Sequence, residues 1–152
     1  MIRVVLDTNQ LVSALLNPEG IAFEILKASG LKGEQKYELV ISGEILSEFR
    51  RVLLYPRIQK LHEWDEEKID IFITLIKEIV HIDESRSRER IVPEDPDDDK
   101  FFHLAIKTNA SYIVSRDMHL LKIKEFKGIR VLRPEVFLSA MRRGGLDRYP
   151  LH

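Results

Sequence analysis

Apolar positions along the chain change period several times, and each change marks an element. Ile2 to Leu6 is a short, β-branched apolar run that predicts a buried strand. Asn9 to Leu16 is apolar enough for one or two helical turns, and Asn17-Pro18 fits an N-cap with proline at the first helical position. A helix over 19–29 then presents Ala22, Ile25, Leu26 and Ser29 on one face, and Gly30 and Gly33 bracket a loop. Tyr37 to Ile41 predicts a second strand, after which Ser42 caps a helix carrying Ile45, Leu46, Phe49, Val52 and Leu53 at spacings of three and four. Tyr55-Pro56 ends that helix, because the residue before proline avoids the helical region. Asp65 caps the clearest amphipathic helix, with Ile69, Phe72, Ile73 and Ile76 on one face. Ile79 to Ile82 reads as a short strand or as more of that helix, and the polar, proline-bearing stretch 83–98 as a surface loop. Asp99 to Thr108 is helical, with Phe102, Ala105 and Ile106 inward and Asn109 suited to the left-handed position after it. Tyr112 to Ser115 and Ile129 to Leu132 predict two more strands, and Pro134 opens a last helix that Gly144-Gly145 ends.

Strands alternating with helices predict an α/β domain: a three-layer α/β/α sandwich on a mostly parallel central sheet, with right-handed crossovers. No repeat, low-complexity tract or linker interrupts the 152 residues, so a single domain over 1–143 with a loose tail over 144–152 is expected. A hydrophobic fraction of 44% argues for a packed core rather than disorder. The absence of cysteine removes disulfides and thiolate metal sites and fits a reducing compartment. No apolar run approaches a membrane span, and the first one meets Asp7 at once, unlike a signal peptide; a cytoplasmic location without membrane attachment is expected.

The net charge of −1 says little, but its distribution says more. Arg116 to Arg148 carries nine Lys/Arg against four Asp/Glu, whereas Glu94, Asp95, Asp97, Asp98 and Asp99 form an acidic block. An acidic centre with a basic surround can hold a cation and attract phosphates.

Four acids stand where an apolar run stops or a helix carries a buried face: Asp7, Glu48, Asp99 and Asp117. In a parallel α/β sheet, strand ends and helix starts meet at one edge. Carboxylates gathered there repel one another unless a hard cation lies between them, which is the chemistry of Mg²⁺ or Mn²⁺. Each acid also has an ordinary reading. Asp7 can cap the following helix, Glu48 can be a solvated surface residue, and Asp117 can be a turn residue. Acids in a first helical turn complement the helix dipole, which explains one or two of the Asp97-Asp98-Asp99 run but not the whole cluster. Histidines 62, 81, 103 and 119 lack zinc spacing, although His103 and His119 lie close in sequence to Asp99 and Asp117.

In order and context, these residues resemble the PIN-domain family of nucleases. The resemblance rests on Val4-Val5-Leu6-Asp7-Thr8-Asn9, on Ser42-x-x-Ile45-Leu46-x-Glu48-Phe49, on Asp95-Pro96-Asp97-Asp98-Asp99-Lys100-Phe101-Phe102, and on Tyr112-Ile113-Val114-Ser115-Arg116-Asp117 with Leu120-Leu121. It covers Ile2 to about Leu138. It implies metal-dependent cleavage of RNA with Mg²⁺ or Mn²⁺, a PIN-like fold, a homodimer and, as in many small single-domain members, the toxin role of a toxin–antitoxin pair with a partner antitoxin protein. By position, Asp7, Glu48, Asp99 and Asp117 match the family's four catalytic and metal-binding acids; Asn9 and Ser115 match accessory polar positions. Asp99 is preferred over Asp97 and Asp98 for its distance to Ala105 and to the strand ending at Ser115. Arg116 and the basic C-terminal segment are expected on the RNA backbone. Gln10 departs from the family's usual apolar residue, and Asn109-Ala110 from its usual glycine turn.

Other classes fit less well. A haloacid-dehalogenase-like phosphatase needs a second Asp where Asn9 stands, and a phosphoacceptor receiver domain needs further acids beside Asp7. A non-catalytic PIN-like module binding RNA or protein is the alternative that the four acids weigh against.

Overall fold

The computed structural model describes residues 1–31, 33–83, 91–92 and 98–146. Within them runs the order β1 (Arg3–Leu6), α1 (Thr8–Leu16), α2 (Ile21–Leu26), β2 (Glu38–Ser42), α3 (Gly43–Leu53), α4 (Pro56–His62), α5 (Glu66–Ile79) and β3 (His81–Asp83). Then follow α6 (Asp99–Thr108), β4 (Tyr112–Val114), α7 (Met118–Leu121), β5 (Glu125–Phe126), β6 (Ile129–Leu132) and α8 (Pro134–Arg142). Most of the acidic block, Glu94, Asp95 and Asp97, lies outside the described residues, as does the end of the expected tail, 147–152.

The strands form one six-stranded sheet in the order β3-β2-β1-β4-β6-β5, parallel except for the β5–β6 hairpin. Val4 pairs with Leu39 on one side and Tyr112 on the other, so β1 is central. Val4, Val5 and Leu6 are buried, as a parallel strand covered on both faces demands. The chain steps from β1 to β2 to β3 in one direction, then returns past β1 to β4. Right-handed crossovers therefore place α1 to α5 on one face and α6 on the other. Helix α6 packs across β1, β2, β4 and β6, while α1 packs on α2 and α3, and α2 on α8. This gives the expected three layers. The reversal between β1 and β4 opens a crevice at their carboxyl ends, the place where such sheets bind ligands.

Aromatic packing fixes α8: the Phe137 ring meets Tyr37 and Tyr112 edge-on at 5.5 and 6.1 Å. The buried Tyr37 hydroxyl donates to the Ile25 carbonyl at 2.6 Å, and burial pushes its phenol well above the ordinary range, so it stays a donor. Tyr112 donates to the Leu146 carbonyl at 2.7 Å, and Leu146 is buried. The chain after α8 is thus held through Leu146, where a free tail was expected from Gly144.

Several boundaries differ from the sequence reading for identifiable reasons. Asn17 does not cap α2; its side chain and carbonyl close a turn onto Glu19 and Gly20, and the helix starts at Ile21. Pro56 ends α3 and also starts α4, whose first position needs no N–H donor. Asp65 and Ser42 cap α5 and α3 through Lys68 and Ile45 amides, as expected. Helix α5 runs through Ile79 and residues 81–83 form a strand on β2, so the ambiguous stretch 79–82 is divided between the two. Asn109 sits at φ 59°, closing α6 in the left-handed conformation. Helix α6 buries Phe101, Phe102, Leu104 and Ala105, while Ile106 is only half-buried.

Candidate metal centre

Asp7 is the last residue before α1, directly beyond β1. Its Oδ1 accepts the Gln10 amide at 2.9 Å, capping the helix, and its Oδ2 accepts the Ser115 hydroxyl. Capping and site membership are therefore compatible: one oxygen serves the helix, and the carboxylate still lines the crevice. Burial pushes the Asp7 carboxyl above the usual range; the hydrogen bonds from Ser115 and Gln10 oppose that rise, and the nearby Asp117 charge adds to it. Ser115 stands at the end of β4 and is fully buried. Its Oγ also accepts the Asp117 amide at 2.9 Å, so a single hydroxyl joins the ends of two adjacent strands.

Asp117 caps α7 through the His119 amide at 2.8 Å. Glu48 reaches the crevice from the middle of α3. Its Oε1 accepts the Thr8 hydroxyl, and its Oε2 meets the Lys100 ammonium at 3.0 Å, with Arg51 at 3.9 Å. Lys100 is nearly buried at 9% side-chain exposure, so this ion pair is sheltered from solvent screening. Asp7, Thr8, Asn9, Glu48, Val52, Asp98, Lys100, Phe101 and Asp117 line one cleft of about 240 Å³.

Asp99 is not among the cleft-lining residues. Its Oδ1 accepts the amides of Val92 and Ile91, the latter at 2.9 Å, and so ties the irregular segment at 91–92 to the start of α6. The acid that the structure turns toward Asp117 is Asp98, the residue before α6. Asp98, Asp117 and His119 each present one ligand atom, all within 4.8 Å of one another. The physical reason is helix phase: neighbouring residues at a helix start point about 100° apart, so only one of two adjacent acids can face the crevice. Arg116, expected on substrate, pairs with Glu135 of α8, whose carboxyl is held low by its own backbone amide and by Arg116.

Three functional candidates escaped the sequence reading or were underweighted. Asp98 was secondary to Asp99; its N-cap position was the available signal. Lys100 had no role assigned, although a lysine directly after an acid run is the natural counter-charge. His119 lies two residues after Asp117, and the short α7 brings it back beside the carboxylate.

The donor set fits a hard divalent cation. Carboxylate oxygens predominate, they are brought together at some cost in repulsion, and an imidazole stands at the edge. Among the described residues no helix is long and apolar enough to cross a membrane.

Comparison with known proteins agrees with this geometry. The family described as "PIN domain" matches residues 3–119. The chain is also 32% identical over 124 residues to "Uncharacterized protein MJ1680" of Methanocaldococcus jannaschii, covering 82% of this chain and 76% of that protein. The match spans every acid of the cleft, from Asp7 at the end of β1 to Asp117 at the start of α7, and the chain belongs to the PIN domain family.

Proposed function

We infer that the protein is a divalent-metal-dependent endoribonuclease, using Mg²⁺ or Mn²⁺, that hydrolyses RNA phosphodiester bonds with water as the nucleophile. The observation that carries this reading is the convergence of Asp7, Glu48, Asp98 and Asp117, from four separate elements, on one cleft. A divalent cation held there supplies Lewis acidity and lowers the pKa of water toward neutrality. Asp7, Asp98 and Asp117 are the residues assigned to hold it, with His119 at the rim. Glu48 is fixed by Thr8 and Lys100, which orients its carboxylate to accept a proton from the attacking water. Lys100 brings positive charge to the place where a phosphodiester would lie. Ser115 and Asn9 are supporting residues, the first by orienting Asp7 and the second by lining the cleft. Asp99 enters as a positioning residue that anchors the chain leading into α6. Arg116, half-exposed beside Glu135, is assigned to the RNA backbone.

The preference for RNA, the toxin role with an antitoxin partner and the homodimer rest on the family resemblance. The cytoplasmic location rests on the cysteine-free composition.

The test is cleavage of end-labelled RNA and DNA of one sequence, with Mn²⁺, Mg²⁺ or a chelator. RNA should be cut only with metal. Glu48→Gln and Asp117→Asn should each lower the rate by at least about 100-fold, the scale of several kcal/mol of charge stabilisation. Equal cleavage of DNA would remove the RNA assignment. No cleavage of either would leave a non-catalytic nucleic-acid or protein-binding module.

A further inference from the structure

A second groove lies on the same helix as Glu48 but outside the cleft. Ser47, Arg50, Arg51, Leu54 and Tyr55 line it, and its volume of about 430 Å³ falls within the range of ligand sites, about 300–1,000 Å³. Tyr55 is one of the few large hydrophobic side chains left open to solvent among the described residues, at 42% exposure. The guanidinium of Arg50 is bound by Glu66 and Asp70 of α5, which fixes one wall. Arg51 is different. Its side chain is 62% exposed, and it reaches back to 3.9 Å from Glu48, so it stands between the groove and the acidic cleft.

The charge pattern selects an occupant. From Phe49 to His62 the chain carries Arg50, Arg51, Arg57 and Lys60 and no Asp or Glu. Arg57 and Lys60, in the first and last turns of the short α4, are exposed. Among the groove-lining cations Arg50 is held by its two carboxylates, which leaves Arg51 to meet a phosphate; with the open Tyr55 ring beside it offering a stacking face, the pair matches a nucleotide. Tyr55 lies two residues beyond the end of α3, and Arg51, 3.9 Å from Glu48, joins its groove to the cleft. That continuity suits a base flanking the bond cut in the cleft.

Resting on the ribonuclease reading, we propose that this groove is a subsite for an unpaired nucleotide flanking the scissile phosphate, with Tyr55 stacking on the base and Arg51 contacting the adjoining phosphate. Tyr55 would then select single-stranded substrate, since a base inside a duplex offers no free face.

The test uses the full chain carrying Asp7→Asn to block cleavage, with fluorescence anisotropy of a labelled single-stranded oligouridylate and of an RNA duplex of equal length. Tyr55→Ala should weaken single-strand binding roughly 5- to 100-fold, the range for loss of base–aromatic stacking, and Tyr55→Phe should restore it. Arg51→Gln should lower the slope of log affinity against log salt by about 0.7, the contribution of one single-strand phosphate. The duplex should be insensitive to Tyr55. Unchanged oligouridylate binding in Tyr55→Ala, equal sensitivity of the duplex, or no binding by the parent would each overturn the subsite, and the groove would then be a protein-docking face or plain surface. The two readings separate in the wild-type cleavage assay. If RNA is cut but Tyr55→Ala and Arg51→Gln leave KM unchanged, the subsite falls and the nuclease stands. If nothing is cut but binding depends on Tyr55, the nuclease falls, and with it the scissile-phosphate placement, and only a single-strand-binding groove is left.

Discussion

The Ser115 hydroxyl donates to Asp7 and accepts from the Asp117 amide, joining acids 110 positions apart in the chain through one buried oxygen. This link makes the parallel register of β1 and β4 a determinant of the site: Leu6 pairs with Val114, so the residues that follow are brought side by side. Removing the hydroxyl leaves the strands paired but lets the Asp7 carboxylate turn. Ser115→Ala should therefore keep the fold and lower Mn²⁺ affinity about 10- to 100-fold, the usual effect of losing a residue that orients a ligand. Calorimetry reads this directly, and unchanged affinity would show that Asp7 needs no such orientation.

The raised pKa of Asp7 gives a pH dependence with a definite sign. Its folded value lies above the unfolded one, 3.8, because burial disfavours the charged form. Below the unfolded value both states hold the proton and the group is neutral in its effect. As pH rises through the folded value, the unfolded state loses its proton first, and stability falls until Asp7 is ionised in both states. Asp7→Asn removes this loss and keeps the Oδ1 acceptor for Gln10. In chelator the variant should melt above the wild type at neutral pH, with the gap closing toward pH 3.8 and below. A gap of the same size at every pH would contradict the assignment. With Mn²⁺ at 100 times its Kd the order should reverse, since the wild type then gains about 2.7 kcal/mol that the variant does not.

Asp98 and Asp99 should separate cleanly. Asp98→Asn should lose metal binding with little change in Tm. Asp99→Ala should leave the Ile91 and Val92 amides without their acceptor and cost about 1–3 kcal/mol of stability. Thermal unfolding and Mn²⁺ titration of both variants check this. The opposite pattern would restore Asp99 as the ligand.

These two residues also show where sequence stops being informative. The strands, the parallel sheet and the meeting of Asp7 and Asp117 follow from periodicity and from the way α/β sheets gather their strand ends, whereas Glu48, in the middle of α3, is singled out by the family resemblance. The choice among adjacent acids depends on the phase of α6 and on a backbone segment at 91–92 that needs an acceptor, neither of which is written in local composition. Likewise Pro56 signals an ending, but whether a new helix starts there depends on the packing of α4 beside α1 and α3. The pairing of Lys100 with Glu48, 52 residues apart, is a tertiary fact without a local signal.

His119 bears on the choice of cation. Mg²⁺ prefers oxygen ligands and keeps its water, whereas Mn²⁺ accepts an imidazole more readily. Mn²⁺ should bind more tightly than Mg²⁺, and His119→Ala should narrow the difference by weakening Mn²⁺ alone. Competition calorimetry tests this; equal losses for both ions would mean the imidazole does not ligate.

The central claim is that the crevice acids form one cation site. Calorimetric titration of Mn²⁺ into the wild type and into Asp98→Asn/Asp117→Asn tests it most directly. Saturable binding by the wild type that disappears in a folded double variant is the predicted result. Equal binding by both proteins, or none by the wild type, would contradict it.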